Sequence, residues 1–291
     1  MSFKPLTLAD QAVFRAAEKA RPLVTSDANF TNIFIWDNYY HFTWAENFGC
    51  LGLIASPEDQ EPFAFSPLGP GDGLKATEWL LGQLEKPKLS RVPKVVAQDL
   101  IISHPTYKIN PDPDNDDYVY LAEKLINLSG RRMHQKKNHY NYFKQNYRHE
   151  FLDVTVDLVP DLLAVADQWL TAKTEKIGPQ NHLIMEREAV SLALDHLLEL
   201  NLVGLAIMVE GKIEAFTLGE PLNADTAVIH VEKGNPEIRG VYVALCSEFC
   251  RRHFSHLTYI NREQDLGLPG LRFSKESLKP DHMAHKFEVI P

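Results

Sequence analysis

The sequence predicts an α+β protein of mixed, mostly antiparallel sheets flanked by helices, with a domain transition near residue 121. Two observations favour this class: short apolar runs punctuated by Gly and Pro in the first half, and a regular succession of strands and helices after residue 150. A chain of 291 residues is long enough for two medium-sized domains or one large one, and the acidic, proline-rich segment before residue 118 favours a division there. We therefore expect an N-terminal domain over residues 1–121 and a C-terminal domain over residues 122–291.

The N-terminal domain begins with an amphipathic helix over residues 7–20, which places Leu8, Phe14 and Ala17 roughly on one side. The elements expected after it are strands at 39–44, 51–55 and 63–65, a helix at 74–84, extended segments at 94–97 and 101–109, and a strand at 118–121. The acidic segment 110–117 lacks the glycine and closing glutamate of a calcium loop. We expect it to be a solvated loop.

The C-terminal domain opens with a basic helix. Residues 124–149 contain no Asp or Glu, although the chain carries a net charge of −9. Helical spacing places Lys136 on the same face as Met133 and Phe143, so its side chain either extends out of the core or reaches into a cleft. In the second case the helix could bind phosphates of a cofactor or an RNA, and the candidate residues are Arg131, Arg132, Lys136 and Lys137.

The remaining elements follow in a regular order. We expect a strand at 151–156, helices at 161–173 and 185–200, a hairpin of 202–209 and 212–218, a strand at 226–232, a helix from about residue 240, a strand at 257–260, a tail helix at 271–278 and a final strand at 285–290. This order is typical of a GNAT-type acyltransferase domain.

The turn at residues 233–239 opens directly into a helix at Gly240, beside Arg239. Free backbone N–H groups and the positive end of the helix dipole would face one spot there, which favours an anion such as phosphate, although Gly and Pro are also ordinary turn residues. The next strand carries Arg262, Glu263 and Asp265 to its carboxyl end, where open α/β sheets usually bind ligands.

Composition sets further limits. A hydrophobic content of 44% and a charged content of 24% are those of a soluble globular protein. Three cysteines without paired spacing fit a reducing compartment, and no apolar run is long enough for a signal peptide or a transmembrane helix, so we expect a cytoplasmic location. Cys246, Cys250 and His253 would form an incomplete zinc set, so no metal is expected.

Two segments carry a family resemblance: Gly130 to His139 (GRRMHQKKNH) and Asn261 to Arg272 (NREQDLGLPGLR). They resemble the hallmark segments of uncharacterised bacterial proteins similar to the C-terminal domain of phosphatidylglycerol lysyltransferase. The resemblance implies two tandem GNAT-like domains, as in the related Fem transferases. It also implies transfer of an aminoacyl group from aminoacyl-tRNA to an amine or hydroxyl.

The resemblance gives the candidate residues roles. The four basic residues of the helix would meet the acceptor end of tRNA, and Arg239 with Gly240 would hold donor phosphates. Glu263 or Asp265 would orient the proton of the acceptor, and Arg262 would stabilise developing negative charge. No tightly bound cofactor is expected, because the donor is a substrate. The candidate partners are tRNA and a small-molecule, peptide or lipid-headgroup acceptor.

Two other functions fit the same residues. In the first, the protein is an acyl-CoA-dependent N-acyltransferase whose turn at Arg239 and Gly240 holds the pyrophosphate. In the second, it is a non-catalytic GNAT-like binding module.

Overall fold

The structure is a computed structural model that describes residues 2–178 and 180–291. It forms two compact units. Unit 1 comprises Met1–Asp117, Glu263–Leu271 and Met283–Pro291, and unit 2 comprises Tyr118–Arg262 and Arg272–His282. Unit 1 thus takes up two segments from the C-terminal part of the chain. The domain limits at residues 121 and 122 stay a prediction.

The described residues contain strands β1 (Lys4–Pro5), β2 (Thr43–Asn47), β3 (Cys50–Ala55), β4 (Phe63–Ala64), β5 (Leu89–Pro93), β6 (Lys108–Pro111), β7 (Asp117–Leu121), β8 (His149–Asp153), β9 (Val203–Val209), β10 (Lys212–Pro221), β11 (Thr226–Gly234), β12 (Tyr259–Asn261), β13 (His282–Ala284) and β14 (Lys286–Ile290). The α-helices are α1 (Gln11–Ala20), α2 (Phe30–Ile35), α3 (Asp37–Tyr40), α4 (Gly73–Leu81), α5 (Lys94–Ser103), α6 (Ala122–Asn127), α7 (His134–Asn146), α8 (Val159–Ile177), α9 (Asn181–Asp195), α10 (Val241–His253) and α11 (Pro269–Ser277). Two seven-stranded mixed sheets flanked by helices confirm the predicted α+β class.

The first sheet has the order β1-β2-β3-β4-β5-β14-β6. The final strand, expected to complete the C-terminal domain, instead lies between β5 and β6, where Phe287 is opposite Val92 and Pro111. Val289 is fully buried in the same core as Leu89, so the end of the chain supplies part of the hydrophobic core of unit 1.

A buried charge cluster holds this final strand. The Lys286 ammonium lies 2.5 Å from Asp27 and 2.6 Å from Asp117, and all three side chains are almost inaccessible to solvent. Arg91 lies 3.4 Å from the other oxygen of Asp27. The expectation of a solvated loop at 110–117 is therefore wrong at its end, because Asp116 and Asp117 are buried and bind the final strand.

Two local expectations in unit 1 are also wrong. Residues 94–103 form helix α5 instead of extended chain, because Ala97 and Leu100, three residues apart, are the pair that it buries. Residues 37–40 form the short helix α3, which ends at His41 in the left-handed conformation. The Asp37 carboxylate accepts a hydrogen bond from the Phe42 amide, so β2 starts only at Thr43.

The second sheet has the order β13-β7-β12-β11-β10-β9-β8. The expected hairpin is confirmed: β9 and β10 are joined at Glu210 and Gly211, whose φ angles of 50° and 84° suit a two-residue turn. The parallel pairing of β11 with β12 covers only Thr226 to Val228, opposite Tyr259 to Asn261. Beyond these pairs the two strands are no longer paired with each other.

The predicted basic helix is interrupted. Helix α6 ends at Leu128, which has a φ of 47°, and Gly130 follows with a φ of 91°. A 3₁₀ turn over Arg131–Met133 then leads into α7. The two left-handed residues break the helix, so the basic side chains of α7 lie on a separate element.

Candidate donor-binding and active site

The start of α10 and the basic helix α7 meet in unit 2. Gly240 is the N-cap of α10 with a φ of 90°, and as a glycine it has no side chain that could cap the helix. A Cβ atom at this position would lie 2.2 Å from the carbonyl oxygen of His139 and 3.1 Å from Cβ of Phe143. Only glycine permits this approach, so the turn and α7 form one continuous surface.

Arg239 extends that surface. Its guanidinium lies 4.4 Å from the ring centre of Tyr142 on α7, and the side chain is exposed. Among the described residues, Arg239 forms no ion pair. A guanidinium stacked on an aromatic ring loses little conformational freedom when it binds an anion.

The four basic residues predicted on the helix differ in exposure. Arg131, Arg132 and Lys137 are exposed, whereas Lys136 is half-buried. Burial lowers the pKa of Lys136, and the nearby charges of Arg262 and Lys279 lower it further. Lys136 is thus the least exposed of the four, whereas the other three residues face solvent.

Arg262 is rigidly held at the end of β12. Its Nη2 donates to both carboxylate oxygens of Glu232, at 2.8 and 2.9 Å. Its backbone N–H donates to the carbonyl of Tyr118 at 2.9 Å, and its carbonyl accepts a hydrogen bond from the Lys275 ammonium. Although burial opposes its charge, the Glu232 carboxylate raises the pKa of Arg262. The guanidinium is thus a fixed, permanently charged group.

Glu263, the next residue, belongs to unit 1. Its Oε1 accepts a hydrogen bond of 2.8 Å from Nδ2 of Asn32, which also donates to the Ser26 carbonyl at 3.0 Å. Glu263 has a φ of 57°, a conformation that L-residues rarely adopt. Backbone strain of this kind is concentrated at functional sites, which favours Glu263 as a candidate acid or base.

Asp265 also lies in unit 1 and is buried. Its carboxylate accepts a hydrogen bond of 2.8 Å from the Gly267 amide, and Leu266 donates its N–H to the carbonyl of Asp114. These contacts support a role for Asp265 in holding the turn. Its assignment as a proton acceptor stays a prediction.

Glu232 is a site residue that the sequence reasoning missed. It lies on β11 next to Lys233, whose buried ammonium is 3.4 Å from the ring centre of Trp169 and pairs with Glu186. Two adjacent charged residues at the end of an otherwise apolar strand were the available signal, since buried charges require partners. Cys246 and Cys250, considered as metal ligands, are buried in α10. Within the described residues, no helix is both long and apolar enough to cross a bilayer.

Comparison with solved structures identifies the fold of the chain. The chain has the tandem GNAT-like fold. FemX superposes with a TM-score of 0.59 at 8% identity, over 100% of this chain and 98% of the other. The structure of L-PGS from Bacillus licheniformis gives a TM-score of 0.66 at 16% identity, over 97% of this chain and 91% of the other. At these identities the likeness concerns the fold.

The family is defined by sequence. The profile described as phosphatidylglycerol lysyltransferase, C-terminal, matches residues 20–290, and the chain belongs to this family. A conserved protein of unknown function from Bacteroides thetaiotaomicron is 30% identical, with a TM-score of 0.92 over 100% of this chain and 99% of that chain. An uncharacterised protein of Mycoplasmoides gallisepticum is 27% identical over 60% of this chain and 55% of its own length, so the match spans about half of that relative. The predicted resemblance is confirmed.

Proposed function

We propose that the protein is an aminoacyltransferase that takes an aminoacyl group from aminoacyl-tRNA and transfers it to an amine or hydroxyl acceptor. Membership of the lysyltransferase family supports transfer chemistry of this kind. The observation that carries the proposal for this chain is the continuous cationic surface of unit 2, where α7 meets the start of α10. A chain of net charge −9 concentrates unpaired cations there.

The exposed part of this surface suits a nucleic acid backbone. Arg131, Arg132 and Lys137 are exposed, and the described residues include no ion-pair partner for them. Helix α7 contains no acidic residue. Aromatic residues lie among the cations, and Arg239 is stacked on Tyr142. Such a surface binds phosphates and allows stacking of unpaired bases, as at the single-stranded acceptor end of a tRNA.

The chemistry is attack of an acceptor nitrogen or oxygen on the ester carbonyl of the aminoacyl-tRNA. The new bond forms to the carbonyl carbon, negative charge develops on the carbonyl oxygen, and the ester bond to the ribose breaks. We assign Arg262 to stabilising that charge, because its guanidinium is fixed and cannot lose its proton. The proton of the nucleophile passes to the ribose oxygen, which leaves as a hydroxyl. Glu263, hydrogen-bonded to Asn32 within unit 1, stays a candidate proton acceptor.

Charge reversal of the exposed helix surface tests the proposal. Arg132→Glu with Lys137→Glu should weaken tRNA binding and lower the slope of log Kd against log salt by about 1.5, because each lost phosphate contact contributes about 0.7–0.9. Fluorescence anisotropy with a labelled tRNA at several salt concentrations measures both quantities. The matched control is Lys94→Glu with Lys108→Glu, two exposed lysines of unit 1 that give the same change in net charge. Equal binding by the two double variants would contradict the proposal.

A second candidate is acyl-CoA-dependent N-acyltransfer. The uncapped start of α10 after β11 favours it, since a helix N-terminus in this position can bind a pyrophosphate. Calorimetry with acetyl-CoA tests this function. A bound donor must also raise the thermal unfolding midpoint, so absence of both heat and a shift would exclude it.

A further inference from the structure

In unit 2, the strands β11 and β12 separate beside the side chain of Arg262. Their ladder ends at Val228 and Asn261, so the carboxyl-terminal half of β11 lacks a backbone partner from β12. Arg262 follows directly and spans the opening with its side chain, which binds Glu232 near the end of β11. The Arg262 side chain therefore crosses from the end of β12 to β11 where the two strands are no longer paired.

Arg262 has one nitrogen left over in this place. Glu232 occupies Nη2, whereas Nη1 is buried and has no hydrogen-bond partner among the described residues. Only 11% of the Arg262 side chain is exposed. A buried donor without an acceptor costs about 1–3 kcal/mol, more when it is charged. By contrast, the amide and the carbonyl of Arg262 form hydrogen bonds, and its Nη2 binds Glu232.

Lys136 provides a second unsatisfied cation. The described residues include no hydrogen bond or ion pair to its ammonium, although the residue is half-buried. The charges of Arg262 and Lys279 are close enough to act on it unfavourably. Arg262 and Lys136 are therefore cations that repel each other, and both oxygens of the Glu232 carboxylate are already bound by Arg262.

We propose that Nη1 of Arg262 and the ammonium of Lys136 form a binding site for a phosphate group. An oxyanion placed between them would accept a hydrogen bond from each and remove the repulsion between the two cations. The proposed tRNA donor supplies a phosphodiester, whose free oxygens can accept a hydrogen bond from each of the two cations. The site deepens the proposed function and rests on it for the substrate, whose phosphate would be fixed next to the reacting ester.

Protection of Lys136 from acetylation tests the site. The full-length protein is treated with an amine-acetylating reagent with and without inorganic phosphate, and modification of individual lysines is measured by mass spectrometry. Phosphate should slow acetylation of Lys136 and leave the neighbouring, exposed Lys137 unchanged. Chloride at equal ionic strength controls for screening. Equal rates at Lys136 with phosphate and with chloride would overturn the proposal on the wild-type protein alone.

Variants then assign the contacts. Arg262→Lys keeps the charge next to Glu232 but removes the second nitrogen, and Lys136→Met removes the ammonium. Each should weaken phosphate binding in calorimetry about 10–100-fold, the loss expected for one hydrogen bond to a charged group. Thermal unfolding establishes that each variant is folded. Wild-type affinity in Lys136→Met would overturn the assignment.

Two probes distinguish the source of the phosphate. The trinucleotide CCA represents the acceptor end of the donor, and glycerol 3-phosphate represents a headgroup of the acceptor. The probe that protects Lys136 from acetylation at the lower concentration identifies the substrate that supplies the phosphate. Arg132→Glu with Lys137→Glu should weaken tRNA binding and leave the protection of Lys136 by phosphate intact, so failure of the proposed function and failure of this site give different results.

Discussion

Gly240→Ala tests the contact on which the candidate donor site depends. Gly240 has a φ of 90°, and an added Cβ would lie 2.2 Å from the carbonyl oxygen of His139. The left-handed conformation costs an L-residue about 1–2 kcal/mol, and overpacking typically costs about 1–3 kcal/mol more. We therefore expect the variant to lose about 2–5 kcal/mol of unfolding free energy.

Gly211→Ala is the matched control, because it has the cost of the left-handed conformation without the cost of overpacking. Gly211 has a φ of 84°, and no atom of the described residues lies within 4 Å of its added Cβ. Urea unfolding followed by circular dichroism should show Gly240→Ala less stable than Gly211→Ala by about 1–3 kcal/mol. Equal losses in the two variants would refute the close approach of α10 to α7.

Three further predictions concern buried charges. Arg262→Met leaves the Glu232 carboxylate without its partner, so urea unfolding should show a loss of about 3–5 kcal/mol of unfolding free energy. Adding Glu232→Gln should recover part of that loss, and no recovery would contradict the pairing. Lys286→Met removes the ammonium next to Asp27, whose pKa is raised by burial. The folded variant then binds a proton on Asp27 more tightly than the unfolded chain does, so its thermal stability should rise as the pH falls from about 7 to 5. A flat profile of stability against pH would count against this. Burial lowers the pKa of Lys136, so its charged form opposes folding. Lys136→Met should therefore raise the midpoint of thermal unfolding at pH 7. This difference from the wild type should shrink as the pH rises towards about 10.

Local patterns predicted the part of the site formed by neighbouring residues. The strand β11, the turn after it and the start of α10 at Gly240 follow from apolar runs and from one glycine between them. The hairpin at Glu210 and Gly211 follows from the same kind of signal. In these cases the residues that decide the structure are close in sequence, so period and turn chemistry are sufficient.

Contacts between distant residues could not be predicted in this way. Lys286 pairs with Asp117 across 169 positions, and no periodicity connects them. The strand β14 that carries Lys286 lies in the first sheet, whereas the sequence analysis assigned the last strand to the C-terminal domain. Asn32 and Glu263 are 231 positions apart. A single sequence indicates that such polar residues need partners, but it does not identify them.

The partner of Arg262 lies between these two cases. Glu232 is 30 positions away on the adjacent parallel strand, and β11 was predicted correctly. Adjacent charges at the end of a buried strand were visible in the sequence. A search for the cation that neutralises Glu232 would have pointed to Arg262, which follows the next strand.

Transfer from charged tRNA tests the central claim most directly. A tRNA pool carrying radiolabelled amino acids is incubated with the full-length protein and with amine or hydroxyl acceptors from a cell extract, and label is followed from tRNA to the acceptor fraction. We expect label to move with the wild-type protein and to move more slowly with Arg132→Glu and Lys137→Glu combined. Label that leaves tRNA no faster than in buffer, for every amino acid and acceptor fraction, would contradict the account.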